Sequence, residues 1–339
     1  FRRVLFRSMR PRLWAVGSRV EMARRRILVC GATGFIGRNL VETLARNPDV
    51  ELHALRFTRP AYDLNGVNWH QADLRDVGAV NRLLAGMDVV IQAAATTSGV
   101  RDIVKTPYIH VTDNAVMNSL LLRACFDHKV KHFVFFSCSV MYQPRESPWR
   151  EEEWDPSQEM HPNYFHTGWT KVYIEKMCEF FGRLGVTKHT VVRHTNVYGP
   201  HDKFDLERSH VFGATVTKVM TSKTGSITVW GTGEEARDLI HVDDLVRFVE
   251  LTIERQTTPY ELMHVSAGSA IRIKDLVAKI VSASGRDLRI EHDPAGPTIK
   301  TSFALDNGRA REKFGWQPQV ALDDGIRRTV QWWKQAFGA

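Results

Sequence analysis

A chain of 339 residues with 43% apolar and 25% charged side chains can bury one large core or two coupled ones, and its balance is that of a soluble globular protein. No apolar run approaches the roughly 18 residues a membrane helix requires, so no membrane partner is expected. The formal charge of +8 suggests nucleic acid until it is located. Arg2, Arg3, Arg7, Arg10, Arg12, Arg19, Arg24, Arg25 and Arg26 lie in residues 1–26 with a single acid, Glu21, so the body is neutral and lacks the basic stripe that a phosphate backbone demands.

Residues 1–22 are set aside as a basic leader outside the fold. They read as an extension or, being Arg-rich and nearly acid-free, as an organelle-targeting segment. Cys30, Cys125, Cys138 and Cys178 form no CxxC pair and no metal-ligand cluster. Reduced thiols in a cytoplasmic protein without a metal are the expectation.

In chain order, ILVCG (27–31) reads as a buried strand and FIGRNLVETLARN as the helix after it, with apolar positions 36, 40, 41 and 44 at helical spacing. Between them GATGFIG (31–37) places Gly31, Gly34 and Gly37. In that context the glycines allow a tight turn, a close approach of backbone to a pyrophosphate, and close helix–strand packing, with the helix amino terminus facing the anion.

VELHALR follows as a strand, VGAVNRLLAGM as a helix, DVVIQAAA as a strand, NAVMNSLLLRACFDH within a long helix, and HFVFFSCS as a strand. The second strand runs into FTR without the carboxylate that would hold the ribose hydroxyls of NAD. Arg56 and Arg59 stand there instead and suit a 2′-phosphate, which favours NADP over NAD. Further strands are expected at 190–194 and 227–230, after which turns at YGPHDKF, GTGEE and DPAGP loosen the rhythm. The alternation predicts an α/β fold, a doubly wound parallel (Rossmann) sheet with a smaller α/β substrate-binding C-terminal lobe. We place the cofactor domain at 23–195 and the lobe at 196–339, with about 237–256 returning to the first domain.

GATGFIG, ADL (72–74), QAAA (92–95), FFSCSVMY (135–142), RHTNVYGP (193–200) and WGTGEEARDLIHVDD (230–244) together resemble the extended short-chain dehydrogenase/reductases of the NAD-dependent epimerase/dehydratase family. GPHDKFDLERSHV and the Trp230-to-Asp244 stretch look most like nucleotide-sugar enzymes of the GDP-L-fucose synthase type. The resemblance covers residue 26 to the end. It implies cofactor contacts from the glycine loop (Gly31, Thr33, Gly34, Phe35, Ile36, Gly37), from Arg56, from Asp73 and Leu74 at the adenine, from Ala93, Ala94 and Ala95 beside the nicotinamide, and from Lys171. It implies nucleotide-sugar contacts from Asn196, Trp230, Arg237 and Tyr142, a structural Asn114, and a homodimer through helices near 108–128 and 163–184.

In that family a Ser or Thr and a Tyr-x-x-x-Lys pair move the proton, the lysine cation lowering the phenol's pKa. Here Lys171 matches, but Thr167 stands in the tyrosine slot and Cys138 in the hydroxyl slot, flanked by Ser139. An aliphatic hydroxyl is a poor base, so Tyr164 ranks first as the replacement, Tyr142 second, and a relay through Thr167 third. Seven residues before Lys171, Tyr164 shares its helical face but lies about 10.5 Å along the axis. A Cys138 thiol needs a lowered pKa to act as base. The resemblance gives His210 a proton-transferring role in epimerisation, but Val140 replaces its cysteine partner. The TDE-type motif of many 4,6-dehydratases is absent from SCSVMY. The expected activity is a nucleotide-sugar epimerase or reductase working at C4 through a keto sugar; the alternative is a catalytically impaired NADP(H)-binding sensor or scaffold.

Overall fold

The computed structural model describes residues 24–96, 107–206, 209–296 and 302–338; the leader 1–22 and Glu207–Arg208 of the GPHDKFDLERSHV stretch lie outside them. Apart from an extra strand, β3, the first half alternates as expected: β1 (Arg25–Cys30), α1 (Phe35–Leu44), β2 (Val50–Arg56), β3 (Val67–Gln71), α2 (Val77–Leu84), β4 (Val89–Gln92), α3 (Pro107–Asp127), β5 (His132–Phe136), α4 (Phe165–Arg183) and β6 (Lys188–His194). Together with β10 (Tyr260–Val265) the six strands form one sheet in the order β10-β6-β5-β4-β1-β2-β3, every pair parallel.

Side chains alternate across a strand, and here both faces are apolar. Ile27, Val29, Leu52, Ala54 and Ile91 enter one core with Leu40 and Val41 of α1. Leu28, Cys30, Leu55, Val90 and Phe133 enter the other with residues of α2, α3 and α4. That double burial is what a parallel sheet covered on both sides requires. Strand order reverses between β1 and β4, which opens a crevice at their carboxyl ends.

The C-terminal half contributes β7 (Asn196–Tyr198), α5 (Val211–Thr221), β8 (Ser226–Trp230), β9 (Ala236–His241), α6 (Val242–Arg255), β11 (Ala270–Arg272), α7 (Ile273–Ser284), β12 (Arg289–Asp293), α8 (Gly308–Phe314) and α9 (Leu322–Phe337). A three-stranded mixed sheet (β11-β9-β7) and a two-stranded one (β12-β8) share a third core with α5, α7 and α9. After β9 the chain returns to the first core. Leu245, Val249 and Ile253 of α6, then Met263 and Val265 of β10, then Phe314 and Trp316 all enter the core beneath α1. Asp244 locks that return: its carboxylate accepts from the amides of Gln319 and Val320, and its carbonyl from the Trp316 indole.

Candidate active site

At the carboxyl edge of β1, β2 and β4 a cleft of about 380 Å³ is lined by Gly31, Arg56, Asp73, Leu74, Ala94 and Ala95 among others. Gly31 has φ +72°, and a Cβ there would lie 2.7 Å from the Ala94 backbone; a Cβ on Gly37 would overlap the Gly31 carbonyl. Gly34 precedes α1 in an extended conformation with no side-chain cap, so the first amides of the helix are left for a ligand. The half-buried Phe35 and Ile36 pack on the core below, and the Thr33 carbonyl accepts from Arg59 Nη1 at 3.4 Å.

Around the rest of this cleft, charges are arranged in pairs. Arg56 Nη2 donates to Gln71 Oε1 at 2.6 Å. Arg75 grips Asp73 (2.8 Å) and Asp113 (2.9 Å), and that guanidinium holds the Asp73 carboxyl below its usual range. The Ala93 amide donates to the Cys30 carbonyl and the Ala94 amide to Gln92 Oε1. Asn114 clamps Thr96 just beyond them: its Oδ1 accepts from Thr96 N at 3.1 Å and its Nδ2 donates to Thr96 O at 3.0 Å. This is a structural use of Asn114 at the strand end. A glycine cradle that a Cβ would fill, free helix amides and arginines at the rim fit a dinucleotide with its phosphates on the loop.

A second, smaller cavity of about 70 Å³ brings together five residues singled out from sequence: Ser139, Tyr142, Tyr164, Asn196 and Arg237. His161, Asp238 and Phe303, which were not singled out, are among the others that line it. His161 precedes a single 3₁₀ turn (Pro162–Tyr164) and packs on the Tyr164 ring, centroids 5.6 Å apart. Asp238 is buried and accepts from Thr195 Oγ1 (3.1 Å), Ala267 N (2.8 Å) and Leu305 N (3.3 Å), so it joins three segments of the wall. Burial pushes its carboxyl up to about 6.

Lys171 is among the lining residues of neither cavity. Its ammonium donates to the Phe136 carbonyl at 2.7 Å and sits 4.7 Å from the Phe135 ring centroid, and burial lowers its pKa. Thr167, half-buried in the first turn of α4, lines neither cavity. The expectation of a reactive Cys138 meets an opposing effect: burial raises the thiol's pKa and outweighs the nearby Lys171 charge, so the group stays a thiol. Burial also raises the Tyr164 phenol, with Arg237 pulling it back.

Tyr142 is committed elsewhere. Its hydroxyl accepts from Arg193 Nη1 at 2.7 Å and meets His264 Nε2 at 2.6 Å inside a buried network. Tyr142 lines the cavity, and its hydroxyl is engaged by these two partners. His210 is exposed at the position before α5 and makes no capping bond. At the end of β6, His194 Nδ1 faces the Thr195 carbonyl at 2.8 Å. Trp230 is exposed, with Lys218 Nζ 5.0 Å from its ring centroid, and lines neither cavity.

Residues 27–266 match the model of the NAD dependent epimerase/dehydratase family. A dTDP-4-dehydro-6-deoxy-D-allose reductase from Streptomyces sp is 31% identical over 324 residues, spanning 92% of this chain and 97% of the relative. GDP-L-fucose synthase from Escherichia coli (strain K12) is 27% identical over 330 residues, spanning 92% and 97%. Among solved structures, UDP-glucose 4-epimerase from Thermotoga maritima with UDP-glucose superposes with a TM-score of 0.80 at 25% identity, covering 92% of this chain and 99% of that one. The chain belongs to the NAD dependent epimerase/dehydratase family.

Proposed function

We propose that this member of the family is an NADP-dependent reductase or epimerase of a nucleotide-diphosphate sugar, acting at C4 through a keto sugar. The observation that carries the reading is the cavity that sets Tyr164, Ser139, Asn196 and Arg237 around one space, on a sheet whose glycine loop is built for a dinucleotide. One relative supports a reductive direction, being named a dTDP-4-dehydro-6-deoxy-D-allose reductase.

When bound, the nicotinamide cofactor supplies or takes the hydride. Residues 23–195 hold it, Arg56 and Arg59 recognise its 2′-phosphate, and Lys171 steadies its sugar. Residues 196–339 supply most of the nucleotide-sugar site, where Arg237 offers a fork to the diphosphate. Tyr164 gives a proton to the sugar oxygen during reduction and takes it back in reverse, and Ser139 donates a hydrogen bond to that oxygen.

The test is to titrate the protein with NADPH and NADH and then add a panel of 4-keto nucleotide sugars. Tighter binding of NADPH, and turnover that Lys171→Met abolishes, are the expected results. Cofactor binding without turnover on any sugar favours a sensor or scaffold, the reading that Thr167 in the tyrosine slot leaves standing.

A homodimer fits the same reading. Phe165, Trp169, Tyr173 and Phe180 on α4, with Tyr108 and Val116 on α3, are large apolar side chains left exposed on two helices that pack together. An apolar face of that kind marks an interface. Light scattering is expected to give twice the chain mass, and a mass that stays at one chain removes the expectation.

A further inference from the structure

Lys171, the cation that the family pattern pairs with a phenol one helical turn away, is anchored outside the lining of the cavity that holds Tyr164. Its ammonium is held at the end of β5 by the Phe136 carbonyl (2.7 Å) and the Phe135 ring (4.7 Å to the centroid). Tyr164 is the residue before α4, and seven residues at 1.5 Å each separate the two backbones by about 10.5 Å along the axis. Lys171 does not line the cavity in which Tyr164 lies, whereas Arg237, second residue of β9, does. Among the described residues of that lining, Arg237 is the one permanent cation.

We propose that Arg237, rather than Lys171, is the cation that faces the Tyr164 oxygen and sets its acidity, leaving Lys171 to the cofactor. This rests on the reading of Tyr164 as the proton-transferring group. Arg237 from β9 and His161 from its own turn line the same cavity as that phenol, Arg237 Nη1 donating to the Ala236 carbonyl at 2.8 Å, and the Cys138 thiol lies beyond β5, next to Ser139 of that lining. The thiol and the loss of solvent disfavour the phenolate; Arg237 favours it, and the phenolate in turn favours the guanidinium. A guanidinium stays charged at every working pH, so it does not titrate against the phenol as a buried ammonium would. Arg237 is thus a positioning residue for the proton as well as a fork for the diphosphate. The site retains a phenol–cation pair with both partners moved: Tyr164 for position 167, and Arg237 for Lys171.

The test follows the ionisation of Tyr164 directly, without turnover. Protein carrying ¹³Cζ-labelled tyrosine is titrated by NMR, the Tyr164 signal being assigned from Tyr164→Phe. The series comprises the wild type, Arg237→Met, Arg237→Lys and Lys171→Met, each checked by circular dichroism. In Arg237→Met the ionised fraction of Tyr164 at a given alkaline pH is expected to fall about tenfold, one pKa unit. Arg237→Lys restores most of it, and Lys171→Met leaves it in place. If Arg237→Met leaves the curve unmoved and only raises the KM for nucleotide sugar, Arg237 binds substrate alone and the proposal is wrong. If Lys171→Met moves the curve instead, the cation has been misassigned. Should Arg237→Met not fold, a Tyr164 curve in Arg237→Lys that coincides with the wild type, together with a shifted one in Arg237→Gln, decides in favour; no shift in Arg237→Gln decides against. Failure of the underlying reading looks different: Tyr164→Phe then turns over keto sugar at the wild-type rate, whatever Arg237 does to the titration.

Discussion

Replacing Tyr164 by phenylalanine is expected to cut reduction of a keto nucleotide sugar by about 10²–10⁴-fold, the range over which a positioned acid contributes, with cofactor affinity unchanged. Tyr164 has the face and the surroundings for the task. It lies on a wall shared with Ser139, Asn196 and Arg237, at the end of a 3₁₀ turn that delivers it to the start of α4. Two controls separate chemistry from packing. Thr167→Val is expected to leave the rate nearly unchanged, because Thr167 lines neither cavity. Tyr142→Phe is expected to act through stability, since its hydroxyl bridges Arg193 and His264. Steady-state rates with cofactor dissociation constants measured in parallel check all three.

Arg193→Met is expected to cost about 3–5 kcal/mol of unfolding free energy, the usual cost of stripping one partner from a buried ion pair. Arg193 and Glu175 are 3% and 2% exposed. The guanidinium grips the carboxylate twice, Nη2 to Oε2 at 2.6 Å and Nε to Oε1 at 3.0 Å. Ser137 Oγ donates to the same carboxylate, Nη1 reaches the Tyr142 hydroxyl at 2.7 Å, and Glu151 accepts the His264 amide at 2.7 Å. Without Arg193 the Glu175 charge remains buried without its bidentate partner. Converting both residues, Arg193→Met with Glu175→Gln, removes the stranded charge, and the loss is expected to be smaller than the sum of the single losses. Urea denaturation of the three variants measures this coupling, and additive losses would show that the pair is not a unit.

Much of the cofactor half was legible because its signals are local. A glycine loop between an apolar run and a 3.6-residue periodicity needs no distant partner, and β1, α1, β2 and β4 fall where those patterns place them. The edge strand β3 was missed because it carries Asn68, His70 and Gln71 and is only half buried, leaving no apolar run to read. Strand β10 was missed for another reason: it joins the first sheet by pairing with β6, Tyr260 opposite His189, a partner about seventy residues earlier that no local pattern announces.

The site divides in the same way. Tyr164 was reachable from helical geometry, since the face of a residue seven positions before Lys171 follows from 3.6 residues per turn. The commitment of Tyr142 was not, because Arg193 and His264 lie 51 and 122 residues away from it in sequence. Cys138 reads as a candidate base or hydrogen-bonding thiol from its slot alone; the burial that raises its pKa exists only once the chain has folded around it. Asp238 sits within the ARDLIHVDD stretch, yet its work, joining Thr195, Ala267 and Leu305, is done by contacts that the motif does not contain.

The most direct measurement is a crystal structure of the protein with NADP and a nucleotide sugar bound together. The expected result places the Tyr164 oxygen within hydrogen-bond reach of the sugar's reacting oxygen, roughly 2.6–3.2 Å, with Arg237 beside it and Lys171 on the cofactor. A complex in which the nicotinamide and sugar meet beside Thr167 or an ordered water, with Tyr164 still turned against His161, would contradict the assignment of the proton to Tyr164.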